Sequence, residues 1–183
     1  MIAQKEKNFN LPNILAGFRI LLAPLMLWFM IDQSNPIFDG WHPSWFDYFA
    51  GLIFVIASVT DFFDGYIARS WNQMTKLGSI LDPLADKMLV LAGFIGLVAL
   101  DKASAFAVFL ILSREMFITG LRVVAVSEGK AVASTMAGKV KTVVQMIAIG
   151  FLIMNWPFAS ELLWFATLLT LYSGYEYIRE YLK

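Results

Sequence analysis

Cysteine is absent from this sequence, which excludes disulfides and thiolate metal sites. Histidine occurs once, as His42, in a stretch predicted to be a loop away from the other polar residues, and it is assigned no chemistry. Charge is scarce and balanced: 14 Lys and Arg offset 14 Asp and Glu, 15% of the chain, so nothing in the charge points to a nucleic-acid partner. Linkers, low-complexity segments and internal repeats are also missing, so the 183 residues are expected to form a single domain, 1–183, with a short polar segment at 1–11.

What is abundant is apolar sequence. Hydrophobic residues make up 59% of the chain, and the mean hydropathy is +0.68. Soluble domains run nearer half apolar and a quarter charged. A chain this apolar could not cover its surface with polar groups in water. A membrane span needs about 20 mostly apolar residues. Six such runs are predicted as helices, at 12–32, 45–68, 80–100, 104–126, 136–156 and 159–179. The expected fold is therefore an all-α integral membrane protein of six transmembrane helices. The opening MIAQKEKNFNLPN is polar, and the apolar run after it is interrupted by Arg19 and Pro24 and lacks a small-residue cleavage site. It reads as a retained first span rather than a signal peptide.

Orientation follows from the short loops, because Lys and Arg accumulate on the cytoplasmic side. The loop DQSNPIFDGWHPSW and the turn NWPFAS contain neither residue, and the loop near 101–103 contains only Lys102. Lys5, Lys7, Arg69, Lys76, Arg122, Lys130, Lys139, Lys141, Arg179 and Lys183 fall at the other ends of the runs. Both termini and the 69–78 and 122–139 loops are expected in the cytoplasm. Trp28, Trp41, Trp45 and Trp156 would then form an outer aromatic belt.

Against this background the stretch TDFFDGYIARSWNQMTKLGSILDPLADK, Thr60 to Lys87, stands out. Asp61 and Asp64 lie three apart at the end of the second run. Asp82 and Asp86 lie four apart at the start of the third, and each pair would share a helix face. Ionisable residues inside a span are costly and mark function. A membrane-edge charge paired with Arg69, Lys76 or Lys87 would account for one aspartate, but not for four at these spacings. Four converging carboxylates repel one another, and divalent cations, two of them, are the natural compensation. An oxygen-only donor set favours Mg²⁺ or Mn²⁺. Gly65 and Ala68 leave room for close approach of a ligand, Arg69 can fork onto a phosphate, and Gly78 opens a helix whose first amides can hold an anion. Together these residues describe a pyrophosphate site at the cytoplasmic membrane face.

The pattern D-x2-D-G-x2-A-R-x8-G-x3-D-x3-D, filled by Asp61, Asp64, Gly65, Ala68, Arg69, Gly78, Asp82 and Asp86, resembles the signature of the CDP-alcohol phosphotransferase family. The resemblance implies transfer of a phosphate-linked group from a CDP-linked donor to an alcohol, with release of CMP. It implies that Asp61, Asp64 and Asp82 bind metal, that Asp86 binds metal and acts as general base, and that Gly65, Arg69 and Thr75 meet the CDP moiety. It also implies a homodimer.

A second cytoplasmic region bears on the acceptor alcohol. Arg114 lies two turns inside the fourth run, Arg122 follows eight residues later, and Lys139 and Lys141 open the fifth run. Such a basic pocket suits an acceptor that carries its own phosphate. Snorkelling under the positive-inside rule is the plainer reading, and it is preferred for Lys130. The segments R-E-x-x-I-T-G-L-R and G-K-V-K-T-x-x-Q, with NLPNILAGFR at the start, resemble the phosphatidylglycerophosphate synthase branch of the family, although Ala16 stands where that branch usually carries Thr. That resemblance implies CDP-diacylglycerol as donor and sn-glycerol 3-phosphate as acceptor, at a bacterial inner membrane. Asn13 is a candidate contact for the cytidine end, or else a helix N-cap. An inositol phosphate, serine or lipid acceptor remains open, and so does a divalent-cation transporter using the carboxylates as a relay.

Overall fold

Backbone amides and carbonyls in long apolar stretches cannot rely on water in a bilayer, and a helix satisfies them internally. The computed structural model describes residues 11–70, 78–129 and 136–182, with the backbone alone at 11–12, 61–70, 79–80 and 82–83. Among them run six helices: α1 (Leu11–Ile31), α2 (Ser44–Ser70), α3 (Gly78–Ala99), α4 (Ala105–Ser127), α5 (Met136–Ile153) and α6 (Ala159–Tyr181). A 3-10 turn at Pro36–Phe38 joins α1 to α2, and no strand occurs among the described residues. The expected 12–32, 45–68, 80–100, 104–126 and 159–179 each fall within about two residues of an observed helix. The fifth helix ends three residues before the expected 156. Asn155 and Phe158 there adopt left-handed backbone (φ +54° and +64°) on either side of Pro157, which cannot continue a helix.

Two helices are long and apolar enough to cross a membrane among the described residues, Asn13–Ile31 and Met136–Ile153, and Ser44–Thr60 is a shorter apolar helix. Only 33% of each of the two longer segments is buried. Most of the rest is apolar surface that water would solvate poorly.

The chain forms two compact units, Met1–Gly96 and Leu97–Lys183. In the first, α1 packs along α2 through an i, i+3, i+4 stripe. The buried stripe of α1 is Asn13, Ala16, Arg19, Leu22, Ala23, Met26 and Met30, and that of α2 is Ala50, Ile53, Phe54 and Ala57. The rings of Phe29 and Phe49 stack at 5.6 Å, which sets the register of this antiparallel pair. Phe38, at the turn between them, lies within 5.3 Å of the Trp28, Phe46 and Trp41 rings. The Asp32 carboxylate ties this aromatic cluster down, accepting from Trp28 Nε1 at 2.8 Å and Asn35 Nδ2 at 2.9 Å. Helix α3 meets α1 where Gly96 faces Met30: a Cβ on Gly96 would stand 2.7 Å from Met30 Sδ.

In the second unit, α6 packs on both α4 and α5. Ser104 caps α4, its Oγ accepting from the Ala107 amide, and Gly129 (φ +73°) ends it in the left-handed conformation that only glycine adopts without cost. Lys102 Nζ donates to the carbonyl oxygen of Ile153, the last residue of α5, at 3.2 Å. Thr167, Thr170 and Ser173 form a fully buried hydroxyl row on α6. Each donates to a carbonyl of its own helix, those of Leu163, Ala166 and Thr170.

Candidate functional site

The apolar stripe of α2 leads directly into the aspartates. From Ala50, Phe54 and Ala57 the same spacing reaches positions 61, 64 and 68, all on helical backbone. Asp61 and Asp64 are therefore about 4.5 Å apart along the axis and share a face. On α3 the buried stripe of Leu89, Ala85 and Gly78 brackets positions 82 and 86, which are about 6 Å apart along the helix. Gly78 is buried and is the first residue of α3. Asp86 is half-buried. For Asp61, Asp64, Gly65, Ala68, Arg69 and Asp82 only the helical backbone is described, and Thr75 lies outside the described residues.

The antiparallel pairing sets the start of α1 beside the end of α2. The Gly96–Met30 contact places the far ends of α3 and α1 together, so the start of α3 belongs to the same end of the unit. Asn13, Asp61, Asp64, Asp82 and Asp86 thus occupy helix positions at one end of the first unit. Asn13 is buried, 7% exposed, and begins the α1 stripe. Ala16, at the position where the resembled branch usually carries Thr, is fully buried.

One residue here enters the sequence reading only as an interruption of an apolar run and as the last residue of NLPNILAGFR. Arg19 is 0% exposed and sits on the α1 stripe at the end that carries the aspartates. A guanidinium sealed in an apolar helix needs a compensating charge or hydrogen bonds. The signal that could have found it is the charge itself, an arginine two turns into an apolar run.

The second unit gathers part of the basic set. Glu115 joins two of its members: Arg114 Nη1 lies 3.4 Å from Glu115 Oε1, and Lys141 Nζ donates to the same oxygen. Arg114 Nη2 also donates to Ser173 Oγ at 2.7 Å. Arg122 sits over the Tyr177 ring, 5.8 Å from its centroid. Lys139, two residues before Lys141, falls on the opposite side of α5 and is exposed, whereas Lys141 is 6% exposed. The fold therefore brings Arg114 and Lys141 together around one carboxylate, sets Arg122 against α6, and leaves Lys139 outside that cluster. Pairing of Arg114 with Glu115 is an alternative that the sequence itself offers, and the two are paired here, whereas sequence pattern alone does not single out Ser173 and Tyr177 as members of this group. His42 is exposed, its Nδ1 accepting from the Ser44 amide.

As a donor set the four aspartates fit a hard divalent cation: they are carboxylates on two helices, with no cysteine or histidine near them in sequence. Among the described residues no cluster of three or more potential ligands forms, since Asp86 is the only one of the four whose side chain is described.

A CDP-alcohol phosphatidyltransferase family profile matches residues 9–172. The CDP-diacylglycerol–glycerol-3-phosphate 3-phosphatidyltransferase of Bacillus subtilis strain 168 is 41% identical, over 92% of this chain and 93% of that protein. Proteins of the same name from Rickettsia felis and Escherichia coli K12 are each 37% identical, over 93% of this chain and 94% of theirs. With the profile spanning most of the chain and the relatives aligning over more than nine-tenths of it, the chain belongs to the CDP-alcohol phosphatidyltransferase family.

Proposed function

We propose that this protein transfers the phosphatidyl group of CDP-diacylglycerol to sn-glycerol 3-phosphate, giving phosphatidylglycerophosphate and CMP. The observation that carries the reading is the near full-length likeness to relatives named for this reaction, combined with the aspartate pairs on α2 and α3. The enzyme is a membrane-bound transferase of phospholipid synthesis. In the proposed orientation its six helices span the bacterial inner membrane as one domain, both termini lie in the cytoplasm, and the site opens at the cytoplasmic face. The working unit is a homodimer.

Asp61, Asp64, Asp82 and Asp86 hold two divalent cations, Mg²⁺ or Mn²⁺. When bound, the cations neutralise pyrophosphate charge in the donor and in departing CMP. Gly65 and Ala68 allow the CDP moiety close to the α2 backbone, and Arg69 binds its phosphates. Gly78 offers the amides at the start of α3, Thr75 contributes from the intervening segment, and Asn13 meets the cytidine. Asp86 takes the proton of the sn-1 hydroxyl as that oxygen attacks the phosphorus nearest the diacylglycerol. The new P–O bond forms as the bond to the CMP oxygen breaks, and CMP leaves with the electron pair. Arg114 and Lys141, with Arg122, hold the acceptor phosphate, and Lys139, on the opposite side of α5, adds only general positive charge. A site at the interface lets the donor keep its acyl chains in the bilayer while a water-soluble acceptor reaches its head group.

The test is CMP release by the purified, detergent-solubilised protein supplied with CDP-diacylglycerol. Glycerol 3-phosphate, inositol 1-phosphate, serine and buffer are compared in parallel. Release is expected with glycerol 3-phosphate alone, is lost on chelation, and returns with Mg²⁺ or Mn²⁺. Release only with another acceptor would overturn the acceptor assignment and leave the aspartate site standing.

A further inference from the structure

Helix α6 carries no member of the predicted site, yet it shapes the cation that the acceptor reading depends on most. Arg114 lies against α6 at Ser173 and Gly174. Its Nη2 donates to Ser173 Oγ at 2.7 Å, while the Ser173 hydroxyl donates to the Thr170 carbonyl at 3.3 Å. The serine oxygen is thus held with its lone pairs toward the guanidinium. Thr170, three residues earlier, repeats the device: it donates to the Ala166 carbonyl and accepts from Gln145 Nε2 of α5 at 2.7 Å. Gly174 supplies the complementary feature. A Cβ there would stand 3.1 Å from both Cγ and Nε of Arg114, so the side chain lies in the space that a missing methyl leaves. Glu115 completes the grip, meeting Arg114 Nη1 and sharing the same oxygen with Lys141. Ser173 is 0% exposed and the Arg114 side chain 10%, so the guanidinium is held on its buried sides.

A guanidinium offers five N–H donors in a rigid fork. With one terminal nitrogen turned to Glu115 and the other to Ser173, the fork has a set direction, and each terminal nitrogen keeps a second hydrogen for a ligand. We infer that Ser173 and Gly174 are positioning residues for acceptor recognition: they fix the Arg114 guanidinium so that its remaining donors meet the phosphate of the acceptor alcohol. The inference rests on the proposed acceptor reading, and it assigns α6 a part in acceptor specificity rather than in donor binding or chemistry.

The experiment measures CMP release against glycerol 3-phosphate and against CDP-diacylglycerol, for wild type, Ser173→Ala, Gly174→Ala, Arg114→Gln and the Arg114→Gln/Ser173→Ala double variant. Hydrogen bonds to charged groups contribute enough that each α6 substitution is expected to raise KM for glycerol 3-phosphate about tenfold. KM for CDP-diacylglycerol, kcat at saturating acceptor and Tm should stay near wild type. In the Arg114→Gln background, Ser173→Ala should add nothing. Ser173→Ala removes one oxygen and adds no bulk, so it reports even if Gly174→Ala fails to fold. Unchanged or equally raised KM values for the two substrates, or full additivity with Arg114→Gln, would overturn the positioning role while wild-type turnover of glycerol 3-phosphate keeps the acceptor reading intact. A wild-type enzyme that ignores glycerol 3-phosphate overturns both.

Discussion

Two lysines two residues apart on α5 have different surroundings and should have different weight. Lys141 is buried and ion-paired to Glu115, whereas Lys139 is exposed on the other side of the helix. Removing one partner of a buried pair leaves the other carrying an uncompensated charge, while surface charges contribute little. Lys141→Ala is expected to raise KM for glycerol 3-phosphate by about tenfold or more, and Lys139→Ala by less than about threefold, in steady-state CMP release. Asp86 permits a sharper test. Asp86→Asn keeps shape and hydrogen bonding but cannot take a proton at neutral pH, so turnover should fall by at least about a hundredfold. CMP or CDP-diacylglycerol should still raise the thermal midpoint of that variant. Near wild-type turnover would remove Asp86 from the role of base.

At the scale of elements, much of the fold is legible in the order of residues. Helices need long apolar runs, and this chain has six, separated by short polar breaks; five of the expected ranges lie within about two residues of the observed ones. The aspartate pairs are legible because i, i+3 and i, i+4 spacing is local, and α2 and α3 supply the helices that such spacing needs. What escapes is pairing between helices distant in sequence. Nothing in the spacing of Glu115, Lys141 and Ser173 announces that they converge, because that depends on how α4 and α5 lie on α6. The end of α5 differs from expectation for a local reason, the left-handed turn at Asn155 and Phe158. Gly96 allows α3 to pack closely on α1, against Met30. Met30 is 2% exposed and its Sδ would lie 2.7 Å from a Cβ on Gly96. Overpacking of this kind costs about 1–3 kcal/mol. Gly96→Val should therefore lower the thermal midpoint in detergent, and the loss should shrink in a Met30→Ala background, where space is restored. An equal loss in both backgrounds would show that the contact does not limit stability.

For the whole molecule, the absence of cysteine becomes an experimental advantage, since single cysteines can be introduced without background. Asp39, in the loop between α1 and α2, and Ser127, at the end of α4, are both exposed. In the proposed orientation, a membrane-impermeant thiol reagent should label Asp39→Cys in intact cells. Ser127→Cys should react only after permeabilisation, and the reverse pattern would invert the topology.

The Lys102–Ile153 contact also bears on how such an orientation is maintained. Lys102 is the one Lys or Arg in the segments assigned to the outer side, beside the carboxylates Asp32, Asp39, Asp47, Asp101 and Glu161. Its ammonium meets the carbonyl end of α5, where the helix dipole places a partial negative charge of about half an electron. In the proposed orientation the outer side would be predominantly negative and the inner side correspondingly positive, so a chain of zero net charge would still be an electric dipole along the bilayer normal. The resting potential of a bacterial membrane is negative inside, and each elementary charge moved across it is worth about 2.3 kcal/mol per 100 mV. An energised membrane would therefore act as a continuous restoring field on this protein, holding its acidic loops outward and its catalytic end toward the cytoplasm.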